Sequence, residues 1–148
     1  PADASGIAQV HVESWQAIYR GLLPDDYLDG LDPEQGARFW QGALEKGLAD
    51  VAVSEKDSQI TGFVSLAPSR DQDADDWTGE LTAIYLKPSV WRQGAGRGLM
   101  DWAKATAGAR GWRRLTLWVL KENARARDFY AATGWHLEIV EVRYVWAP

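Results

Sequence analysis

The sequence predicts an α+β fold in one domain, residues 1–148, with helices first and a mixed, mostly antiparallel sheet after them. Three observations predict it. Two helical patterns, over residues 3–20 and 32–46, precede any convincing strand. Short runs of β-branched and aromatic residues separated by polar turns follow, as hairpins require. Two further helical patterns, over 96–110 and 124–133, are threaded between later strands, making about four helices.

The elements follow in order. Asp3 is placed to cap the first helix and Gly21 to end it in the left-handed conformation. Ala8, Val12, Trp15 and Tyr19 recur at helical spacing as an apolar stripe, with Trp15 and Tyr19 also candidates for a pocket wall. His11, one turn before Trp15, suits either a base or a half-buried, hydrogen-bonded histidine. Leu22, Leu23, Tyr27 and Leu28 are expected to pack down from the following loop. Asp32-Pro33-Glu34-Gln35 opens the second helix, with Phe39, Trp40 and Leu44 on its apolar side. Strands follow at 51–54 and 60–66, joined by the polar turn 55–58. The stretch 67–76, with Asp71, Asp73, Asp75 and Asp76, reads as a solvated loop that would favour cationic substrates if it bordered a site. Later strands are expected at 77–87, 115–120 and 135–146, the last carrying Leu137, Ile139, Val142 and Val145.

Composition sets limits. A net charge of −5 argues against nucleic acid as a partner, and no apolar run is long enough to span a membrane. The chain has no cysteine, which excludes disulfides, thiolate metal sites and a cysteine nucleophile, and fits a cytoplasmic location. With His11 and His136 as the only histidines, no metal site is expected. Nine tryptophans call for a large core or an aromatic pocket.

The chemistry concentrates at residues 84–100. Ile84, Tyr85 and Leu86 end a strand, Pro88 stops it, and Gly94, Gly96 and Gly98 lead into a helix. A strand, a glycine loop and a helix N-terminus in that order suit a phosphate, which meets free N–H groups and the positive end of the dipole. Arg92 and Arg97 add charge beside it. A P-loop is excluded, because Arg97-Gly98-Leu99 supplies neither the lysine nor the hydroxyl it needs. A dinucleotide fingerprint matches poorly, since Gly98 follows Gly96 one residue early and hairpins precede the motif.

Trp91-Arg92-Gln93-Gly94-Ala95-Gly96 resembles the glycine loop of the GCN5-related N-acetyltransferase superfamily, Gln/Arg-x-x-Gly-x-Gly/Ala, with Trp91 in place of the usual Arg or Gln. Asn123, Ala126, Phe129, Tyr130, Gly134 and Trp135 resemble the same family's second signature, which ordinarily closes on Phe. The resemblance runs from about Ile7 to Trp146. It implies the GNAT fold and acetyl transfer from acetyl-CoA, without metal, to a primary amine of a small molecule or peptide by direct attack in a ternary complex. It also implies pantetheine along Ile84, Tyr85 and Leu86, and phosphates on Arg92, Gln93, Gly94, Ala95, Gly96, Arg97 and Gly98. Asn123, Ala126 and Tyr130 would complete the cofactor site. Glu80 stands where members carry a glutamate base, though a strand carboxylate there also suits structure alone. Tyr130 matches the general acid, and the Leu86 N–H the oxyanion donor. The acceptor would lie between the first helices and the Glu80 strand, walled by Trp15, Tyr19 and Tyr27. A non-catalytic acyl-CoA-binding or sensory module and a nucleotide-binding module remain as alternatives, and a homodimer is compatible with the apolar final strand.

Overall fold

The computed structural model describes residues 1–139 and 143–146. Helix α1 spans Ala4–Ile18, α2 Asp25–Asp29, α3 Pro33–Glu45, α4 Ala95–Ala109 and α5 Ala124–Ala132. The strands are β1 Asp50–Lys56, β2 Gln59–Pro68, β3 Thr78–Leu86, β4 Arg114–Trp118, β5 His136–Ile139 and β6 Arg143–Trp146. They form one six-stranded sheet in the order β1-β2-β3-β4-β6-β5. Only β3 and β4 pair in parallel; the other neighbours are antiparallel. The predicted α+β fold with a mixed, mostly antiparallel sheet is what forms.

Both sheet faces are covered. Ile7, Ala8 and Val10 of α1 and Trp40 of α3 pack on Phe63 from one side. Leu99, Met100 and Ala103 of α4 join Val64, Leu66, Leu81, Leu115 and Leu117 on the other. Alternation along β2 sends Phe63 to the first layer and Val64 to the second, which is why residues 61–66 are buried without a break.

Several local expectations are corrected. Asp3 makes no side-chain cap; its backbone is already helical, and its carbonyl accepts the Ile7 N–H. The buried face of α1 is Ala4, Ile7, Ala8, Val10 and Ser14, a stripe rotated from the expected one, with Val12 and Trp15 only half-buried. Asp32 does cap α3, accepting the Glu34 N–H at 2.9 Å, but Phe39 on that helix is exposed. Leu28 is fully buried as expected, whereas Leu22 and Tyr27 are exposed. The β1–β2 turn is tighter than read: Asp57 and Ser58 both have positive φ, a two-residue turn whose twist matches the strands. The stretch expected as one final strand is two, β5 and β6, paired with each other; Val142 lies outside the described residues.

The arrangement that positions the site is the parting of β3 and β4. They pair only at Thr78↔Arg114, Gly79↔Leu115 and Glu80↔Thr116. Just beyond, Thr82 is an extra residue in β3, because Ala83 faces Ser65 and Leu81 faces Leu66 on β2. A bulge increases local twist and bends the strand, so β3 swings away from β4 over its last six residues.

Candidate active site

The gap between β3 and β4 opens into a cleft of about 740 Å³. Ile84, Tyr85 and Leu86 form one wall, Gly94, Gly96 and Arg97 its end, and Asn123, Ala126, Phe129 and Tyr130 the opposite wall. The Lys87 N–H donates to Thr61 on the β2 side, so by strand alternation the Ile84 and Leu86 amides face the cleft.

The end of the cleft gathers free backbone amides and positive charge. Gly94 precedes α4 at φ +91°, and Ala95, Gly96 and Arg97 are its first three residues, whose N–H groups have no intrahelical acceptor. A Cβ on Gly96 would sit 3.1 Å from Leu86 Cδ1 and 3.4 Å from Phe129 Cζ, so glycine there lets α4 approach both walls. Arg92 is held at φ +61°, a strained conformation for a non-glycine residue, and its side chain lines the cleft with that of Arg97. Gly98 belongs to the helix instead: its N–H donates to the Gly94 carbonyl at 3.1 Å, which removes it as a phosphate donor. The Gln93 side chain turns outward to Ser89 and Lys56 and does not line the cleft.

Sequence reasoning passed over Arg125. It lines the cleft from the start of α5, with its guanidinium carbon 3.4 Å from the centroid of the Trp91 ring. The Trp91 indole N–H in turn donates to the Leu86 carbonyl at 2.9 Å. The signal was present as an arginine two residues after the Asn123 cap, but nothing in the chain links it to Trp91, 34 positions earlier. Asn123 itself caps α5, accepting the Ala126 N–H at 3.2 Å, so its side chain shapes the wall.

Tyr130 is buried at the inner end of the cleft, packed against Phe129 and Trp135. Burial first, and then the neighbouring Tyr19 phenol, raise its pKa well above the ordinary phenol range. Tyr85 is shifted the same way, by burial and then by Tyr19 and Tyr130. Tyr19 of the α1 layer therefore reaches Tyr130 of the α5 layer where the strands part. Trp15 packs on Tyr19 with centroids 4.8 Å apart and on His11 at 5.2 Å. Its buried indole N–H lies near the Tyr85 phenol but outside hydrogen-bonding geometry, and has no partner among the described residues. His11 stacks on Tyr85 at 5.5 Å, and burial lowers its pKa, so it is neutral in this aromatic layer. Tyr27 is 53 % exposed on α2 and lines no part of the cleft.

Glu80 lies on the sheet face that α1 covers, where β3 and β4 last touch. Leu81 points to the α4 layer and the bulge restores Ala83 and Tyr85 to the α1 layer, so Glu80 shares their side. Its carboxylate is buried and lies near the Arg70 backbone N–H. Burial raises its pKa above the ordinary carboxylate range; the charge of Arg70 opposes this and that of Asp71 adds to it. Asp71 is itself tied to β4, accepting from Trp118 Nε1 at 2.9 Å and Thr116 Oγ1 at 3.4 Å. The loop after β2 thus borders the site rather than standing free in solvent. Among the described residues no group of three or more His, Asp or Glu is arranged to hold a metal, and no helix is long and apolar enough to cross a membrane.

A strand parting from its parallel neighbour beside a helix N-terminus makes a cleft with a free strand edge along one wall and unpaired amides at its end. Residues 12–135 match the acetyltransferase (GNAT) family, and the chain belongs to that family of N-acetyltransferases. It is 37% identical over 121 residues to the uncharacterized N-acetyltransferase YuaI of Bacillus subtilis, covering 82% of this chain and 68% of that protein. It is 34% identical over 137 residues to the uncharacterized N-acetyltransferase Rv2669 of Mycobacterium tuberculosis, covering 91% of this chain and 84% of that one. Its fold is similar to that of the PaiA N-acetyltransferase of Thermoplasma acidophilum, solved in complex with coenzyme A, with a TM-score of 0.82, 20% identity and coverage of 99% and 94%.

Proposed function

We propose that the chain acetylates a primary amine of a small molecule or peptide by direct attack in a ternary complex, with Glu80 as base and Tyr130 as acid. The observation that carries this reading is the parting of β3 from β4 beyond Glu80. It joins an anion-binding helix end, an exposed strand edge and a buried phenol in one cleft. The residues fit acetyl-CoA. The Ile84 and Leu86 amides offer an added-strand edge to pantetheine, with Leu86, Ala126 and Phe129 as apolar contacts. The N–H groups of Ala95, Gly96 and Arg97, with the Arg92 and Arg97 side chains, suit the phosphates.

When bound, the thioester supplies the electrophilic acyl carbon and the departing sulfur. Glu80 takes the ammonium proton, directly or through water, so that the nitrogen lone pair forms the new C–N bond. Its raised pKa makes it a better base than a surface carboxylate. The Leu86 N–H stabilises the acyl oxygen as it gains charge. Its carbonyl is already occupied by Trp91, which holds this peptide unit in place. As the C–S bond breaks, Tyr130 donates its O–H to the sulfur and supplies the thiol proton; the attacking nitrogen releases its second proton to solvent as the amide forms, and solvent returns one to Tyr130. Trp15, Tyr19 and Tyr85 form an aromatic layer on the Glu80 side, where an acceptor would approach. With Asp71 beside Glu80, that side favours a cationic amine.

Calorimetric titration with acetyl-CoA, with ATP and NAD as controls, tests the donor. Release of the CoA thiol on adding amines tests the reaction. Selective acetyl-CoA binding with amine-dependent thiol release is expected. Binding with no release across polyamines, amino acids and peptide N-termini would favour a non-catalytic acyl-CoA module. ATP binding equal to that of acetyl-CoA would favour a nucleotide-binding one.

A further inference from the structure

Trp91 and Arg125 meet across the cleft, one from the turn before α4 and the other from the first turn of α5. The guanidinium lies 3.4 Å over the indole, and the indole is held at its edge by its N–H bond to the Leu86 carbonyl. Among the described residues Arg125 makes no ion pair, although Asp128 one turn along α5 also lines the cleft. Arg92 and Arg97 face the same space. Three arginines therefore line the cleft into which α4 presents its free N–H groups. A planar guanidinium can stack through its face and still present its N–H donors at its edge. Stacking on Trp91 thus leaves Arg125 able to bind an anion.

We propose that Trp91 is a platform that holds Arg125 as a ligand for a phosphate of the acyl donor. The indole stands where the family's glycine loop more usually carries Arg or Gln. The side-chain charge on this wall then comes from α5, and Trp91 is its positioning residue. The proposal rests on the acetyl-CoA reading above.

The test is calorimetry on wild type, Arg125→Gln, Trp91→Leu, Trp91→Phe and the Arg125→Gln/Trp91→Leu double variant. Each is titrated with acetyl-CoA, 3′-dephospho-acetyl-CoA and acetyl-pantetheine. Loss of one charge-assisted phosphate contact should weaken acetyl-CoA binding roughly tenfold in Arg125→Gln and leave acetyl-pantetheine unchanged. Trp91→Leu should match that loss, Trp91→Phe should retain most of the affinity, and the double variant should be no weaker than either single. A deficit that disappears with the dephospho donor assigns Arg125 to the 3′-phosphate, and one that persists assigns it to the diphosphate. Wild-type affinity in Arg125→Gln, additive losses, or tighter binding in Trp91→Leu would overturn the proposal, the last because the stack would then be a plug. Arg125 is exposed, so its variant stays informative even if Trp91→Leu does not fold. A wild-type protein that does not bind acetyl-CoA would sink the donor reading as well; one that binds it with Arg125 indifferent sinks this inference alone.

Discussion

Tyr130→Phe removes one oxygen and leaves the ring in its packing. The Phe129 and Trp135 rings lie 5.7 and 6.1 Å from it, contacts that phenylalanine keeps. The stability cost should therefore be that of one hydrogen bond, about 1 kcal/mol. The effect on rate follows from the phenol's surroundings. Burial and Tyr19 hold the Tyr130 pKa above its ordinary range, so it stays protonated at any working pH. The same shift makes full transfer to a thiolate uphill, since an ordinary thiol titrates near ~8.5. Most of the benefit then comes from hydrogen bonding to the sulfur in the transition state. A positioned acid gives roughly 10²–10⁴-fold, and such a reluctant donor belongs near the low end, about 10²-fold or ~3 kcal/mol of barrier. Single-turnover thiol release, with acetyl-CoA affinity measured in parallel, is the assay. A hundredfold slower chemical step with unchanged affinity is expected, and in wild type no falling limb from Tyr130 below about pH 10. Equal single-turnover rates in the two proteins would refute the assignment.

Glu80→Gln should lower kcat and remove the rising limb of the pH–rate profile, which in wild type lies above the ordinary carboxylate range because burial raises that pKa. The sign for stability is opposite. A carboxyl whose folded pKa is raised stabilises the fold below its unfolded pKa and loses that contribution as pH rises through the folded value. Glu80→Gln should therefore raise Tm at pH 7, with the gain shrinking towards pH 4; a lower Tm at pH 7 would show that the carboxylate is net stabilising. Gly79→Ala would place a Cβ 2.2 Å from the Trp112 ring, where β3 and β4 last pair. Overpacking of this kind costs roughly 1–3 kcal/mol. Chemical denaturation should show that loss, and a change below 0.5 kcal/mol, well under this roughly estimated cost, would mean that Trp112 yields freely.

The parts of the site that were legible in the sequence are those made by contiguous residues. Gly94 to Arg97 could be read as a helix start with free amides because a helix N-terminus exposes them whatever packs around it. Asn123 could be read as a cap because its acceptor reaches only three residues on. The α1 face was misread by a fraction of a turn, since Trp15 and Tyr19 fit the helical period as well as Ile7 and Ala8 do. Ala8 and Tyr19 are buried as the expected stripe requires, whereas tertiary packing leaves Val12 and Trp15 half-buried and puts Ile7 and Val10 in the core. The Gly98 N–H bonds to the Gly94 carbonyl because the first residue of α4, not the last glycine, decides which amides are free. The expected final strand divided in two because strand propensity does not mark where a chain reverses.

What the sequence determined by itself was the order of the four longer helices and the first four strands, the glycine loop, the two signatures and the absence of cysteine chemistry; the short helix Asp25–Asp29, where a loop was expected, and the division of the last strand were not. The features it determined are set by local sterics, backbone hydrogen bonding and composition. Only the tertiary structure decided where β3 leaves β4, which side of the sheet Glu80 occupies, that Asp71 borders it, and that Trp91 lies beneath Arg125. Those facts join residues far apart in the chain. A single bulge at Thr82 changes which face each later side chain takes, and no local preference records it.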